Sequence, residues 1–319
     1  MSSGSKSKID ERSLRFRQMK KNALSNWELY LFFLIPTAYI IIFRYIPMYG
    51  VQIAFRQFSF QRGIWGSPWV GLDQFKRFFT SPVFWQLLRN TLTLSLYSLF
   101  AVFPIPIVLA LSLNTMKNVR YKKFIQMVTY LPHFISVVVL VGMLYTLMNP
   151  RIGMYGVLYK AIAGTYPRDL MSNASLFPHI FVWSGAWQHV GYNSIIFLAA
   201  LSAVDPELHE AAMIDGASRF RRVLHVDIPA ILPTIVILLI LRCGSIMGVS
   251  YEKAFLMQND LNRSTSQIIS TYVYQVGLQT GTGNYSYAAA IGLFDSVVNL
   301  ILLVCVNGIS RKINETSLW

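Results

Sequence analysis

Six stretches of roughly twenty predominantly apolar residues, separated by polar segments, set the rhythm of this chain: about 28–48, 90–113, 124–148, 177–203, 229–250 and 286–308. A helix rises about 1.5 Å per residue, so each stretch matches the roughly 30 Å hydrocarbon core of a bilayer. The pattern predicts an all-α polytopic membrane protein of six spans. The polar segment 49–89 departs from the rhythm. It is long and aromatic (Trp65, Trp69, Phe75, Phe78, Phe79, Phe84, Trp85), which suits short helices lying at a membrane interface.

Composition agrees. The 319 residues are 54% hydrophobic and only 13% charged, against about 25% charged in soluble proteins, so lipid must cover part of the surface. A net charge of +14 would suit a nucleic-acid binder, whose Lys and Arg neutralise phosphates. The placement of the charges excludes that reading. Seven Lys or Arg fall in the first 21 residues, and most of the rest lie in short segments between apolar runs.

Segments 1–27, 114–123, 204–228 and 309–319 hold sixteen Lys or Arg, and the longer segments 49–89, 149–176 and 251–285 hold ten. Basic residues accumulate on the cytoplasmic side of a membrane protein, which predicts that both termini are cytoplasmic. An even number of spans puts both termini on one side, so spans and charges agree. Residues 1–27 read as a basic cytoplasmic tail and 28–319 as the membrane domain. No small-residue cleavage pattern follows the first apolar run, so it reads as a retained span and not a signal peptide. Cys243 and Cys305 lie inside apolar runs and read as small packing residues, neither disulfide nor metal ligands.

Between the fourth and fifth spans, residues 205–228 read as a helix-turn-helix. Asp205 is placed to cap a helix with Pro206 in its first turn. Gly216 permits the positive φ of a turn, a second helix runs from Ala217 to about Val226, and Pro229 fits the first turn of the next span. Glu210, Ala211 and Ala212 form a small, closely approachable patch carrying one carboxylate, suited to a partner's groove. On these residues alone a solvated amphipathic loop is the favoured reading.

Glu210-Ala-Ala-x-x-Asp215-Gly216-Ala217, with Pro229 and Pro233 downstream, resembles the EAA loop of the permease subunits of ATP-binding-cassette (ABC) importers. Trp69-Val-Gly-Leu-Asp-Gln-Phe75, Asn90-Thr91 and Leu131-Pro-His-Phe-Ile-Ser136 resemble the maltose-type sugar permeases. Tyr45-Ile-Pro-Met-Tyr-Gly50, Thr271-Tyr-Val-Tyr-Gln-Val-Gly-Leu278 and Tyr285-Ser-Tyr-Ala-Ala-Ala-Ile-Gly-Leu-Phe294 are similar to the LplB-like branch, linked to uptake of polysaccharide fragments. Gln275 stands where that branch mostly has Arg. The resemblance spans nearly the whole chain beyond its tail and implies a type I importer permease fold in a bacterial plasma membrane. It also implies the assembly: a second homologous permease, a dimer of ATPase subunits that binds the ATP and Mg, and an extracytoplasmic binding protein that delivers a sugar or oligosaccharide. Glu210, Ala211, Ala212, Asp215, Gly216, Ala217 and Pro229 would then couple the chain to the ATPase, and the chain itself would hold no cofactor or catalytic site.

The substrate path is less sharply drawn. Arg242 and Asp295 lie within the fifth and sixth spans, where ionisable groups are costly and face an interior or cavity. Either they pair with each other, or one of them meets an acidic sugar. Trp183, Trp187, Gln188, Tyr192 and Asn193 on the fourth span offer aromatic faces for sugar rings and amides for hydroxyls, though aromatics in spans also serve as packing and anchors. Tyr251 and Glu252 are candidates for an outer gate. His133, His179, His189, His209 and His225 show no metal-ligand spacing, which argues against a membrane enzyme. An ion-coupled carrier would leave the 205–228 loop unexplained. A permease for another solute remains the nearest rival, because the coupling loop identifies the machine and not the cargo.

Overall fold

The computed structural model describes residues 25–279 and 283–314, mostly helical. Most of the basic tail lies outside the described residues. Two compact units are present, Met1–Trp69 and Val70–Trp319.

In the first unit, helix α1 runs Trp27–Phe55, long and apolar enough to cross a bilayer, with none of its most apolar stretch buried. Phe32 and Ile35 are among its exposed side chains. Such a surface is stable only against lipid or another apolar chain. Beyond it the aromatic segment folds on itself: the Trp69 ring stacks on Phe55 at 5.5 Å, and Arg56 Nη1 donates to the Ser67 carbonyl at 2.9 Å. Only a single helical turn, Gly63–Gly66, forms there.

The second unit comprises α2 (Asp73–Phe79), α3 (Phe84–Thr115), α4 (Val119–Phe134), α5 (Val137–Leu147), α6 (Met154–Ala163), α7 (Phe177–Ser202), α8 (Pro206–Ile214), α9 (Arg219–Cys243), α10 (Tyr251–Met257), α11 (Ile269–Tyr274) and α12 (Tyr285–Asn314). Three apolar clusters hold it together. Leu94, Phe177, Phe181, Met257 and Ile268 form one; Phe78, Leu87, Met247, Ile269 and Ile291 a second; Ala110, Phe197, Leu201 and Ile231 the third.

Prolines explain an irregularity shared by three long helices. A proline removes a donor and its ring clashes with the carbonyl four residues earlier. Widened π-turns occur at Ile41–Tyr45, Ser98–Val102 and Val223–Asp227. They contain Phe43, Phe100 and His225, the residues four before Pro47, Pro104 and Pro229, and so absorb each clash without breaking the helix.

Among the described residues four helices are long and apolar enough to span a membrane, and five if α4 and α5 count as one span bent by 99°. Three of the six expected spans differ in detail from the apolar stretches that pointed to them. The third stretch is broken at Ile135: Pro132 sits in a 3₁₀ turn and the Ser136 hydroxyl caps α5 by accepting from the Val139 amide. The fourth, α7, has the length but not the apolarity, because Trp183, Ser184, Gln188, His189, Tyr192 and Asn193 interrupt it. The fifth ends at Cys243, several residues early, and on its other side runs unbroken through Pro229 from Arg219. The second helix of the 205–228 element is thus the beginning of the span itself.

Non-helical backbone beside a membrane must have its polar groups satisfied by protein. Side chains do this here. Ser95 Oγ donates to the Ile246 carbonyl, and Asn299 Oδ1 accepts from the Met247 amide at 3.0 Å. Asn90 Nδ2 donates to the carbonyls of Ser264 and Gln267, each at 2.9 Å, and Thr91 Oγ1 accepts from the Ile269 amide at 3.1 Å. The Asn90-Thr91 pair is a clamp on the segment preceding α11. Asn262, buried, donates to the carbonyls of Met171 and Met257. Cys243 and Cys305 are both free thiols, the first half-buried and the second exposed.

Candidate functional site

The 205–228 segment folds as its residues dictate. Asp205 Oδ1 accepts from the Glu207 amide at 2.9 Å, capping α8, and Pro206 occupies the first turn. Gly216 has φ +72, a conformation that L side chains rarely adopt, and it turns the chain so that Ser218 caps α9. Glu210, Ala211 and Asp215 are exposed and Ala212 and Ala217 half-buried. Ile214 and Phe220 are 87% and 71% exposed, so two large apolar side chains flank the turn. The element therefore presents carboxylate, small residues and apolar knobs together, which is more than a solvated loop requires.

A buried polar contact with no local cue in its residues ties this element to the long helices. Asp227, 2% exposed, stands 3.3 Å from His209 Nε2 of α8, and Asn114 Nδ2 at the end of α3 donates to the same carboxylate oxygen at 3.4 Å. The contact joins α8 to both α3 and α9. Asp227 looks like an ordinary loop carboxylate until the unbroken α9 carries it inward.

The second site is a cleft of about 590 Å³ walled by α3, α7, α9 and the segment 245–253. Of the residues singled out from the sequence, Gln188, Tyr192, Asn193 and Arg242 line it. Trp183, Trp187, Tyr251, Glu252 and Asp295 do not. Trp183 and Trp187 lie half-exposed on another face of α7, where Trp183 Nε1 donates to Tyr97 Oη at 2.8 Å. Tyr251 packs against the rings of Phe255 and Tyr274. Arg242 and Asp295 form no ion pair: those among the described residues are Lys76–Asp73, His209–Asp227 and Arg263–Asp260.

The bend between α4 and α5 braces this wall. Gln188 Nε2 donates to the Ile135 carbonyl at 2.7 Å, the His133 ring stacks on Tyr192 at 3.8 Å, and His133 and His189 meet through their Nδ1 atoms at 3.2 Å. One of those two nitrogens must carry the proton that bonds them. Gly191 makes the approach possible, because a Cβ there would stand 2.0 Å from the Thr129 carbonyl oxygen. Lys253 and His189 also line the cleft and were missed as site residues. The signal for Lys253 was its place in an otherwise apolar run just after Tyr251 and Glu252.

Residues 102–315 match the family of binding-protein-dependent transport system inner membrane components. The chain belongs to that family. This permease is 43% identical over 291 residues to protein LplB of Bacillus subtilis (strain 168), covering 91% of each chain. It is 40% identical to the polygalacturonan/rhamnogalacturonan transport system permease protein YteP of the same organism, over 91% of this chain and 90% of that one. A crystal structure of a bacterial alginate ABC transporter, in complex with an alginate pentasaccharide-bound periplasmic protein, superposes with a TM-score of 0.84. That match has 36% identity and covers 93% of this chain and 99% of that one. The permease is accordingly a multi-pass inner-membrane transport component and not an enzyme, and the likeness read from its motifs is borne out.

Proposed function

We propose that this permease is a six-span subunit, both termini cytoplasmic, of an ABC importer that carries a sugar or oligosaccharide, a fragment of a polysaccharide, across the bacterial plasma membrane. α7 serves as the fourth span despite its polar residues because its neighbours bury part of them, and the bent α4–α5 pair serves as the third. The chain pairs with a second permease above two ATPase subunits, which bind the ATP and Mg. An extracytoplasmic binding protein delivers the cargo. The cargoes for which the relatives are named support the substrate class, and the periplasmic protein bound to the alginate transporter supports the delivery step.

The observation that carries the mechanism is the joint at residues 205–229. Glu210 and the exposed Ile214 and Phe220 seat α8 in a groove of the ATPase. ATP-driven closure moves α8, and the His209–Asp227–Asn114 contact passes that motion to α9 and α3. The helices then repack between two arrangements, opening the cleft to one side or the other. Asp215, Ala217 and Pro229 shape the turn and the entry into the span.

Glu210→Lys and Gly216→Val test this in proteoliposomes holding the complete importer. Uptake is expected to fall at least about tenfold, the effect of losing about 1.4 kcal/mol of coupling, while the complex still assembles and hydrolyses ATP. Normal uptake by both variants would exclude the coupling role.

A further inference from the structure

The cleft is electrostatically one-sided. Its charged lining residues are Arg242 and Lys253, and no Asp or Glu lines it. Arg242 is exposed to the cleft, and its guanidinium makes no hydrogen bond or ion pair among the described residues. Lys253 is 4% exposed. Its ammonium donates to the Phe181 carbonyl at 2.7 Å and lies 4.9 Å from the centre of the Phe181 ring. Gly185 leaves it space, since a Cβ there would come within 3.1 Å of Nζ. That single hydrogen bond uses one of its three donors. The carboxylates of the neighbouring segments stay out of the cleft: Glu252 is exposed outside the lining and Asp295, on α12, does not line it.

A cation held at a low-dielectric wall without a counter-ion is costly, and two of one sign on one cleft focus the field there. That cost is removed when a ligand supplies the missing charge. Guanidinium is suited to take a carboxylate through two parallel hydrogen bonds, and a carboxylate near Lys253 favours its protonated form. Around the pair, the Gln188 and Asn193 amides and the Ser250 hydroxyl line the same space and match sugar hydroxyls. Gln188 Oε1 is buried with no partner of its own.

We propose that Arg242 and Lys253 select cargo by charge, so that this cleft takes oligosaccharides bearing carboxylates, that is, sugar acids, in preference to neutral ones. The inference rests on the oligosaccharide reading above and sharpens it from sugars in general to one chemical class, with the residues that read the charge.

The test uses the complete importer with its binding protein in proteoliposomes. Its substrates are a radiolabelled galacturonic-acid oligomer, the same oligomer with its carboxyls reduced to alcohols, and a sugar phosphate as an alternative anion. The wild-type importer should take up the acidic oligomer and leave the sugar phosphate outside. Arg242→Gln and Lys253→Met should each lower the ratio of acidic to reduced uptake by about tenfold or more, whereas Arg242→Lys, which keeps the charge, should retain most of it. The binding protein is unchanged throughout, so a shift in that ratio reports the cleft. If both variants lower uptake of the two oligomers by the same factor, the cations are structural and the proposal fails. It fails equally if the wild type carries only the reduced oligomer, although the oligosaccharide reading then stands. Uptake of the sugar phosphate alone, or of none of the three, overturns both.

Discussion

Residues 205–229 and the inner wall of α7 hold their functional groups in opposite ways. The first presents Glu210 and Ile214 outward from a nine-residue helix that packs against little of its own chain, and Phe220 just beyond the turn that follows it. The second turns Gln188, Tyr192 and Asn193 inward from a 26-residue helix wedged among α3, α4 and α9. The outward element has few contacts with its own chain, and one buried polar joint ties it to the long helices. The inward wall is fixed by close backbone approach and ring stacking, which suits a surface that must keep its shape while cargo passes. Mobility is kept where packing is sparse, and geometry is kept where packing is dense.

The sharpest way to break this contrast is to thicken the wall. In Gly191→Val the new Cβ would overlap the Thr129 carbonyl, 2.0 Å away. Backbone on both helices would have to separate, at a cost of about 1–3 kcal/mol or more. The expected outcome is loss of most assembled importer, measured as the complex peak in size-exclusion chromatography. A comparable insertion on the outward element, Ala211→Val, meets no packed neighbour within this chain, so the permease itself should still fold and reach the membrane at wild-type abundance. An unaffected Gly191→Val complex would show that α4 and α7 do not need their contact.

Next in size is the joint itself. Asp227→Ala strips His209 and Asn114 of their shared acceptor, at about 1–3 kcal/mol for polar groups left unpaired. Uptake per ATP hydrolysed should fall several-fold while the complex still forms. If that ratio is unchanged, motion of α8 reaches the spans by another route and the joint is only structural.

Asn90→Ala probes how the wall's outer end is held. It frees the Gln267 carbonyl, while the Ser264 carbonyl keeps Gln86 Nε2 as a donor at 3.2 Å, again at about 1 kcal/mol or somewhat more for the group left unsatisfied. A thermal-shift assay on the purified complex should show a fall of a few degrees.

These sites differ in how far the sequence exposed them. The outward element was legible because its determinants are local: Asp205 caps within two residues, Gly216 supplies its own φ, and the small residues and carboxylate lie side by side. Apolar run lengths likewise located α1, α3, α9 and α12, since crossing a bilayer is a requirement on consecutive residues. The wall was legible only in part. Gln188, Tyr192 and Asn193 were chosen by residue type, as were Trp183 and Trp187. Which face of α7 meets the cleft depends on where α3 and α9 pack, and that is a long-range fact. Arg242 and Asp295 seemed natural partners as two opposite charges in apolar spans, yet α9 and α12 place them apart. The 99° bend had a local cue in Pro132 and Ser136, but apolar periodicity runs straight through it.

Gln275 gives the smallest expected effect. It stands where the resembled branch mostly carries Arg, and here its Oε1 accepts from Gln267 Nε2 at 2.8 Å. An amide presents a donor on one side and an acceptor on the other. In Gln275→Arg the Gln267 amide need only turn over for its own oxygen to accept from the guanidinium. The hydrogen bond survives with its direction reversed and gains a charge, so the fold should tolerate the change to within about 0.5 kcal/mol. The midpoint of thermal unfolding of the complex should accordingly move by no more than a degree or two. A larger fall would mean that Gln267 cannot turn, because Asn90, which donates to its backbone carbonyl, holds the residue in one orientation. The clamp on the outer end of the wall would then be as stiff as the wall, and the contrast with the outward element sharper still.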